Sequence, residues 1–119
     1  GKYDPVDGTL VETAMREAKE EIMLDRSSYK VLGALQPIVS RFGKLVTPVV
    51  ALMTERDPKF PEFNRDEVAE VFTVPLQKFL TRNTTYSFCM WEGVYPLHCF
   101  RHSGRYYITG LTCNILIHA

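Results

Sequence analysis

The stretch Leu10–Leu24, LVETAMREAKEEIML, decides how this chain is read. At roughly 100° per residue, Val11, Ala14, Met15, Ala18 and Ile22 fall on one face, the stripe by which an amphipathic helix meets a core. Glu17, Glu20 and Glu21 stand three and four residues apart and gather on one flank of that stripe. Glu12 and Arg16 can pair on the opposite flank, and Arg16 can also reach Glu20. Each like-charge pair at this spacing costs about 0.2–0.5 kcal/mol on an exposed helix. A solvated charged face tolerates that cost. A divalent cation offsets it, because hard cations such as Mg²⁺ take oxygen ligands and are shared between a few carboxylates and substrate phosphates. The bare pattern admits both readings.

Outward from this helix, Gly1–Thr9 is a turn-rich opening with Asp4, Pro5, Asp7 and Gly8. Tyr29–Leu35 and Leu45–Met53 read as strands, the second interrupted by Pro48, which favours an edge or a bulge. A charged loop with prolines runs from Thr54 to about Asp66. Val68–Val74 is again strand-like, and Pro75 opens a short helix through Leu80. Tyr95–Phe100 and Tyr106–Ile108 read as strands joined across Ser103-Gly104, and the pattern turns helical from Thr112. Strands interleaved with helices predict an α/β or α+β layered fold in one domain over residues 1–119.

The bulk numbers exclude several classes. Lys+Arg and Asp+Glu are both 14, so the net charge gives no sequence-wide reason to bind nucleic acid or an anionic membrane. No run reaches the length of a membrane span. Cys89, Cys99 and Cys113 are widely spaced without a CxxC pair and read as small buried hydrophobes rather than a disulfide framework or zinc site. His98, His102 and His118 lack metal-ligand company. Asp4, Asp7, Gly8 and Glu12 do not have the spacing of a calcium loop of the EF-hand type.

The core Arg16-Glu17-Ala18-Lys19-Glu20-Glu21 resembles the Nudix box, a glycine-led loop followed by a helix with Arg-Glu, two spacers and Glu-Glu. The box would span about residues 1–24. The run from Gly1 to Arg16 is one residue longer than the general box, and with Thr13-Ala14 before the Arg-Glu pair it is similar to the coenzyme A diphosphatase branch. The likeness continues in Leu45–Val50, in Asp66-Glu67-Val68, in Val71–Leu76 and in Gly110-Leu111-Thr112. One departure is Met23, where the box usually has a glycine that closes the helix in a left-handed conformation. Met there costs about 1 kcal/mol if the backbone stays left-handed.

The resemblance implies an α/β/α sandwich with a mixed sheet, here incomplete, and a cofactor of Mg²⁺ or Mn²⁺. Glu17, Glu20 and Glu21 match the metal-binding carboxylates, and Arg16 matches the arginine that holds the acids in register. Asp7 is the best substitute for that arginine's usual glutamate partner, because Gly8 occupies the strict position. Glu67 resembles a distal acid that completes a metal site or serves as base; an ordinary surface glutamate explains it equally well. Gly1, Lys2 and Thr112 are expected to meet substrate, although helix capping also accounts for Thr112. Arg101, His102 and Arg105 form a basic cluster that reads as a solvated turn or a contact for a nucleotide phosphate.

The expected activity is hydrolysis of the pyrophosphate bond of coenzyme A or its acyl derivatives to a phosphopantetheine product and adenosine 3′,5′-bisphosphate. The alternatives are another nucleoside diphosphate derivative as substrate, or an inactive truncated product. The first helix has no strand before it and the last reads as cut, so a fragment is expected, less active than its parent. Peroxisome or mitochondrion is the compartment the resemblance implies.

Overall fold

The computed structural model describes residues 1–40, 42–80, 86–91 and 95–118, and these form two compact units, Gly1–Phe72 and Thr73–Ala119. In the first, helix α1 spans Leu10–Ile22. Thr9 caps its start, its hydroxyl accepting from the Glu12 amide at 3.1 Å. Met23 ends it in the left-handed conformation (φ 56°, ψ 32°), which turns the Met23 amide back to the carbonyl of Lys19 at 3.1 Å and the Leu24 amide to that of Ala18 at 3.2 Å. The missing glycine therefore does not change where the helix stops.

Strand β1 (Tyr29–Ala34) pairs antiparallel with β4 (Val49–Met53), with a bulge between Val31 and Gly33. The expected long second strand is broken at Thr47-Pro48. Its first part, β3 (Leu45–Val46), pairs with β2 (Ile38–Val39), a strand the sequence did not signal. Ala14, Met15 and Ala18 of α1 face Val31, Val49 and Ala51 across a small apolar cavity of about 120 Å³. The helix stripe is only half-buried, because a two-stranded ribbon is narrower than the face it meets; the buried α1 side chain is Thr13.

The strand expected at Val68–Val74 does not form. The amides of Glu67 and Val68 turn back to the Asn64 carbonyl at 3.2 and 2.8 Å, so the segment leaves a turn and carries no regular strand before Pro75.

In the second unit a 3₁₀ turn covers Leu76–Phe79, directly after Pro75. Strands β5 (Tyr86–Trp91), β6 (Tyr95–His102) and β7 (Tyr106–Thr109) form an antiparallel sheet in that order. Its β6–β7 turn puts Ser103 and Gly104 at positive φ, 53° and 68°, which accounts for the glycine. Helix α2 spans Gly110–His118 and packs on β6 and β7. Thr112 lies inside it, exposed, and is not its cap. Phe79, Phe100 and Cys113 form the core, Phe79 and Phe100 meeting edge to face at 4.6 Å between centroids. Cys99 and Cys113 are free and buried, as small hydrophobes should be, and burial pushes the Cys113 thiol up to about 11. The side chains of Cys89, His98 and His118 lie outside the described residues. Helices and strands thus share the chain as expected, and the described strand pairs are antiparallel. No described helix is long and apolar enough to cross a membrane.

Candidate active site

The opening loop is built to present one carboxylate. Asp4 caps the 3₁₀ turn Pro5–Asp7, its Oδ1 accepting from the Val6 amide at 3.0 Å, while its own amide donates to Asp7 Oδ2 at 3.0 Å. That reciprocal cap aims Asp7 at α1, where its side chain is 5% exposed. Thr13 Oγ1 donates to Asp7 Oδ2 at 2.8 Å. Arg16 donates through Nε to Oδ1 at 2.8 Å and through Nη2 to Oδ2 at 3.2 Å, a two-pronged pair that a lysine could not make. The bonds from Arg16, then those from Thr13 and the Asp4 amide, outweigh the opposing effect of burial and lower the Asp7 carboxyl to about 2. Arg16 is raised in turn, chiefly by its bonds to Asp7.

The rest of the guanidinium faces the acidic flank. Nη1 donates to Glu20 Oε2 at 3.0 Å and to Glu17 Oε1 at 3.3 Å, and Nη2 donates to the Lys2 carbonyl at 3.0 Å. One arginine thereby ties the first residues of the chain, the 3₁₀ turn and two helix turns together. Glu12, expected to pair with Arg16, pairs instead with Arg26 at 2.9 Å. Gly1 lies against Glu17: a Cβ there would collide with that side chain's Cγ, Cδ and Oε1 and push the carboxylate aside.

The structure brings Gly1, Lys2, Arg16, Glu17 and Glu20 into one cluster. Glu21 follows on the same helix, and its carbonyl accepts from the Asn64 amide at 2.8 Å. Asn64 heads the turn that carries exposed Glu67, and its Oδ1 accepts from the Asp66 amide at 3.1 Å. Glu67 thus stands on a turn fastened to the last turn of α1. Thr112 belongs to the second unit. Asn64 escaped the sequence reading, and Thr13 entered it only as part of the resemblance, with no role at Asp7. The Asn-x-Asp spacing signals a turn, but nothing local shows that Thr13 would meet a loop six residues earlier.

No three His, Cys, Asp or Glu side chains among the described residues converge closely enough to hold an ion by themselves. The donor chemistry nevertheless fits a hard cation. Magnesium keeps several waters and is commonly held by one or two carboxylates together with substrate phosphates. Glu20, with 54% of its side chain exposed, retains solvent-facing oxygen for such a role.

In the basic cluster of the second unit, the Arg101 guanidinium donates to the Gly104 carbonyl at 3.0 Å, Arg105 lies over the Tyr106 ring, and Lys78 Nζ is 3.1 Å from His102 Nδ1.

No family model matches the chain. Curated proteins do. The uncharacterized Nudix hydrolase NudL of Yersinia pestis (strain Pestoides F), that of Yersinia pseudotuberculosis serotype O:1b (strain IP 31758) and that of Yersinia pestis bv. Antiqua (strain Angola) are each 37% identical to it over 119 residues. The match takes in 99% of this chain and 59% of each relative. Identity at this level along the chain, with the Arg16-centred box at its head, supports the Nudix hydrolase family for this sequence, as a segment spanning 59% of the relatives it matches.

Proposed function

We propose that this chain carries the catalytic helix of a metal-dependent pyrophosphohydrolase whose substrate is coenzyme A or an acyl-coenzyme A. The observation that supports hydrolysis best is the Arg16 hub. A guanidinium bonded to both oxygens of Asp7 and to Glu17 and Glu20 fixes the carboxylates' orientation before substrate arrives. The longer loop between Gly1 and Arg16 favours the coenzyme A branch over other nucleoside diphosphate derivatives.

Glu17, Glu20 and Glu21 are the residues that would hold Mg²⁺ or Mn²⁺. When bound, such an ion neutralises phosphate oxygens and acidifies water. The chain's own groups do the rest. Water oxygen adds to one phosphorus as the bridging P–O bond breaks, and the bridging oxygen leaves with the other phosphate. A carboxylate, Glu67 on its turn in this reading, accepts the water's proton. Gly1 and Lys2, held beside Glu17 and Arg16, flank the bound diphosphate. The products are a phosphopantetheine and adenosine 3′,5′-bisphosphate. Peroxisome or mitochondrion is the compartment proposed with this substrate.

The test is incubation of the protein with Mg²⁺ and, separately, coenzyme A, ADP-ribose and a dinucleoside polyphosphate. Coenzyme A is expected to turn over fastest, and Glu20→Gln or Glu21→Gln to lower turnover by about a hundredfold or more with the helix content unchanged. Wild-type rates in those variants would refute the metal assignment. Faster turnover of ADP-ribose would move the substrate to another nucleotide while keeping the reaction.

A further inference from the structure

The chain's balanced charge is unevenly spread. Between Ser27 and Thr54 the sequence holds Lys30, Arg41 and Lys44 and no acidic residue. None of the ion pairs among the described residues uses Lys30 or Lys44. Within this basic stretch stands the hairpin of β2 and β3, and its outer side is apolar. Val39 and Leu45 are direct partners across it and so share a face, while Phe42 lies on the turn between them. Val39, Phe42 and Leu45 are 64%, 74% and 69% exposed, whereas Ile38 and Val46, on the opposite face, are half-buried. Large apolar side chains left in water together mark a surface that meets something apolar.

The backbone of the turn is satisfied from within. The Ser40 amide donates to the Lys44 carbonyl at 2.8 Å, the Gly43 amide to the Ser40 carbonyl at 2.9 Å and the Lys44 amide to Ser40 Oγ at 3.2 Å. Gly43, at φ 74°, closes the turn. Amides paired in this way enter a water-poor layer at little cost, which unpaired ones could not.

We propose that this hairpin is a contact for an anionic membrane surface. Val39, Phe42 and Leu45 enter the boundary between headgroups and acyl chains, and Lys44 beside them meets the headgroups. The net charge of zero supplies no sequence-wide pull towards such a surface; the pull is local. Apolar bulk beside basic charge fits this partner better than the others. A second copy would set the same basic stretch against itself. A nucleic acid would take the lysines and leave Val39 and Leu45 in water. An acidic protein would need a groove shaped to the tip, and a bilayer needs none.

Vesicles of equal parts phosphatidylcholine and phosphatidylserine are the probe, with phosphatidylcholine alone as the neutral control. The protein is expected to sediment with the mixed vesicles, about tenfold more weakly with the neutral ones, and less as salt is raised. Phe42→Ser is expected to weaken binding about tenfold and Lys44→Gln about fivefold. Both positions are exposed on the turn, so unchanged circular dichroism separates a lost contact from a lost fold. Phe42→Trp gives a reading that does not depend on loss. It should bind at least as tightly as the wild type, and its emission should move to the blue on the mixed vesicles, against the wild type's Trp91 as baseline. No sedimentation with the mixed vesicles, equal sedimentation with the neutral ones, or wild-type affinity in Phe42→Ser would overturn the proposal. Polyglutamate bound as tightly as the vesicles, and equally by Phe42→Ser, would overturn it too and give the face to an acidic protein. None of these readings requires hydrolysis, so they stand apart from the enzyme assay.

Discussion

Replacing Arg16 with Met removes five donated hydrogen bonds while keeping most of the side chain's stem in place. The most measurable consequence falls on Asp7. Its carboxyl sits at about 2 rather than 3.8, and the bonds from Arg16 are the largest cause. In the variant, Thr13 and the Asp4 amide remain as donors, but desolvation opposes them, so the titration midpoint is expected to rise towards 3.8. The sign for stability follows. A carboxylate whose folded pKa is depressed contributes stability that is present above its unfolded pKa and lost as pH falls through the folded one. Wild-type protein should therefore shed this contribution between pH 3.8 and about 2, and Arg16→Met should lack most of it already at neutral pH. Carboxyl ¹³C NMR of labelled aspartate, taken down to about pH 1.5, reads the midpoint, and thermal melts over the same range read the stability. Thr13→Val, which removes one donor of the four, should raise the midpoint by less. If Asp7 still titrates near 2 in Arg16→Met, the guanidinium is not what holds it down and the hub reasoning fails.

Thr9→Ala removes the hydroxyl that accepts the Glu12 amide and is expected to cost about 1 kcal/mol of helix stability, read by circular dichroism during urea unfolding. An unchanged midpoint would mean water caps the helix as well as the hydroxyl does. Phe100→Ala empties the centre of the second unit's core, where Phe100 is 3% exposed and meets Phe79 edge to face, and should destabilise that unit by about 3–5 kcal/mol. A loss under about 1 kcal/mol would show that this unit does not depend on the cluster.

The helix was legible because its causes are local. Apolar residues at helical spacing, Thr9 before the first turn and three glutamates three and four apart lie within a few turns of one another, and hydrogen bonds between near neighbours make the element. The left-handed Met23 was foreseeable from the box's usual glycine for the same reason. The turn at Ser103-Gly104 and the short turn after Pro75 were equally local. Strands were read less well. Val68–Val74 has the composition of a strand, yet a strand needs a partner's backbone, and the Asn64 turn takes the first amides. Strand β2 has only two residues and exists because β3 lies opposite.

What the sequence determined by itself was the acidic helix and the reach of Arg16 to Glu20, since both follow from spacing within a few helix turns, while Asp7 as the partner of Arg16 came from the family resemblance. What only the tertiary structure decided was which oxygen each nitrogen of Arg16 takes, that Glu12 turns to Arg26 and that Thr13 supports Asp7. Tertiary structure alone also closed the Thr54–Asn64 loop on Ser28 and Glu21. These depend on groups distant in the chain meeting within hydrogen-bond range, and no local periodicity encodes that.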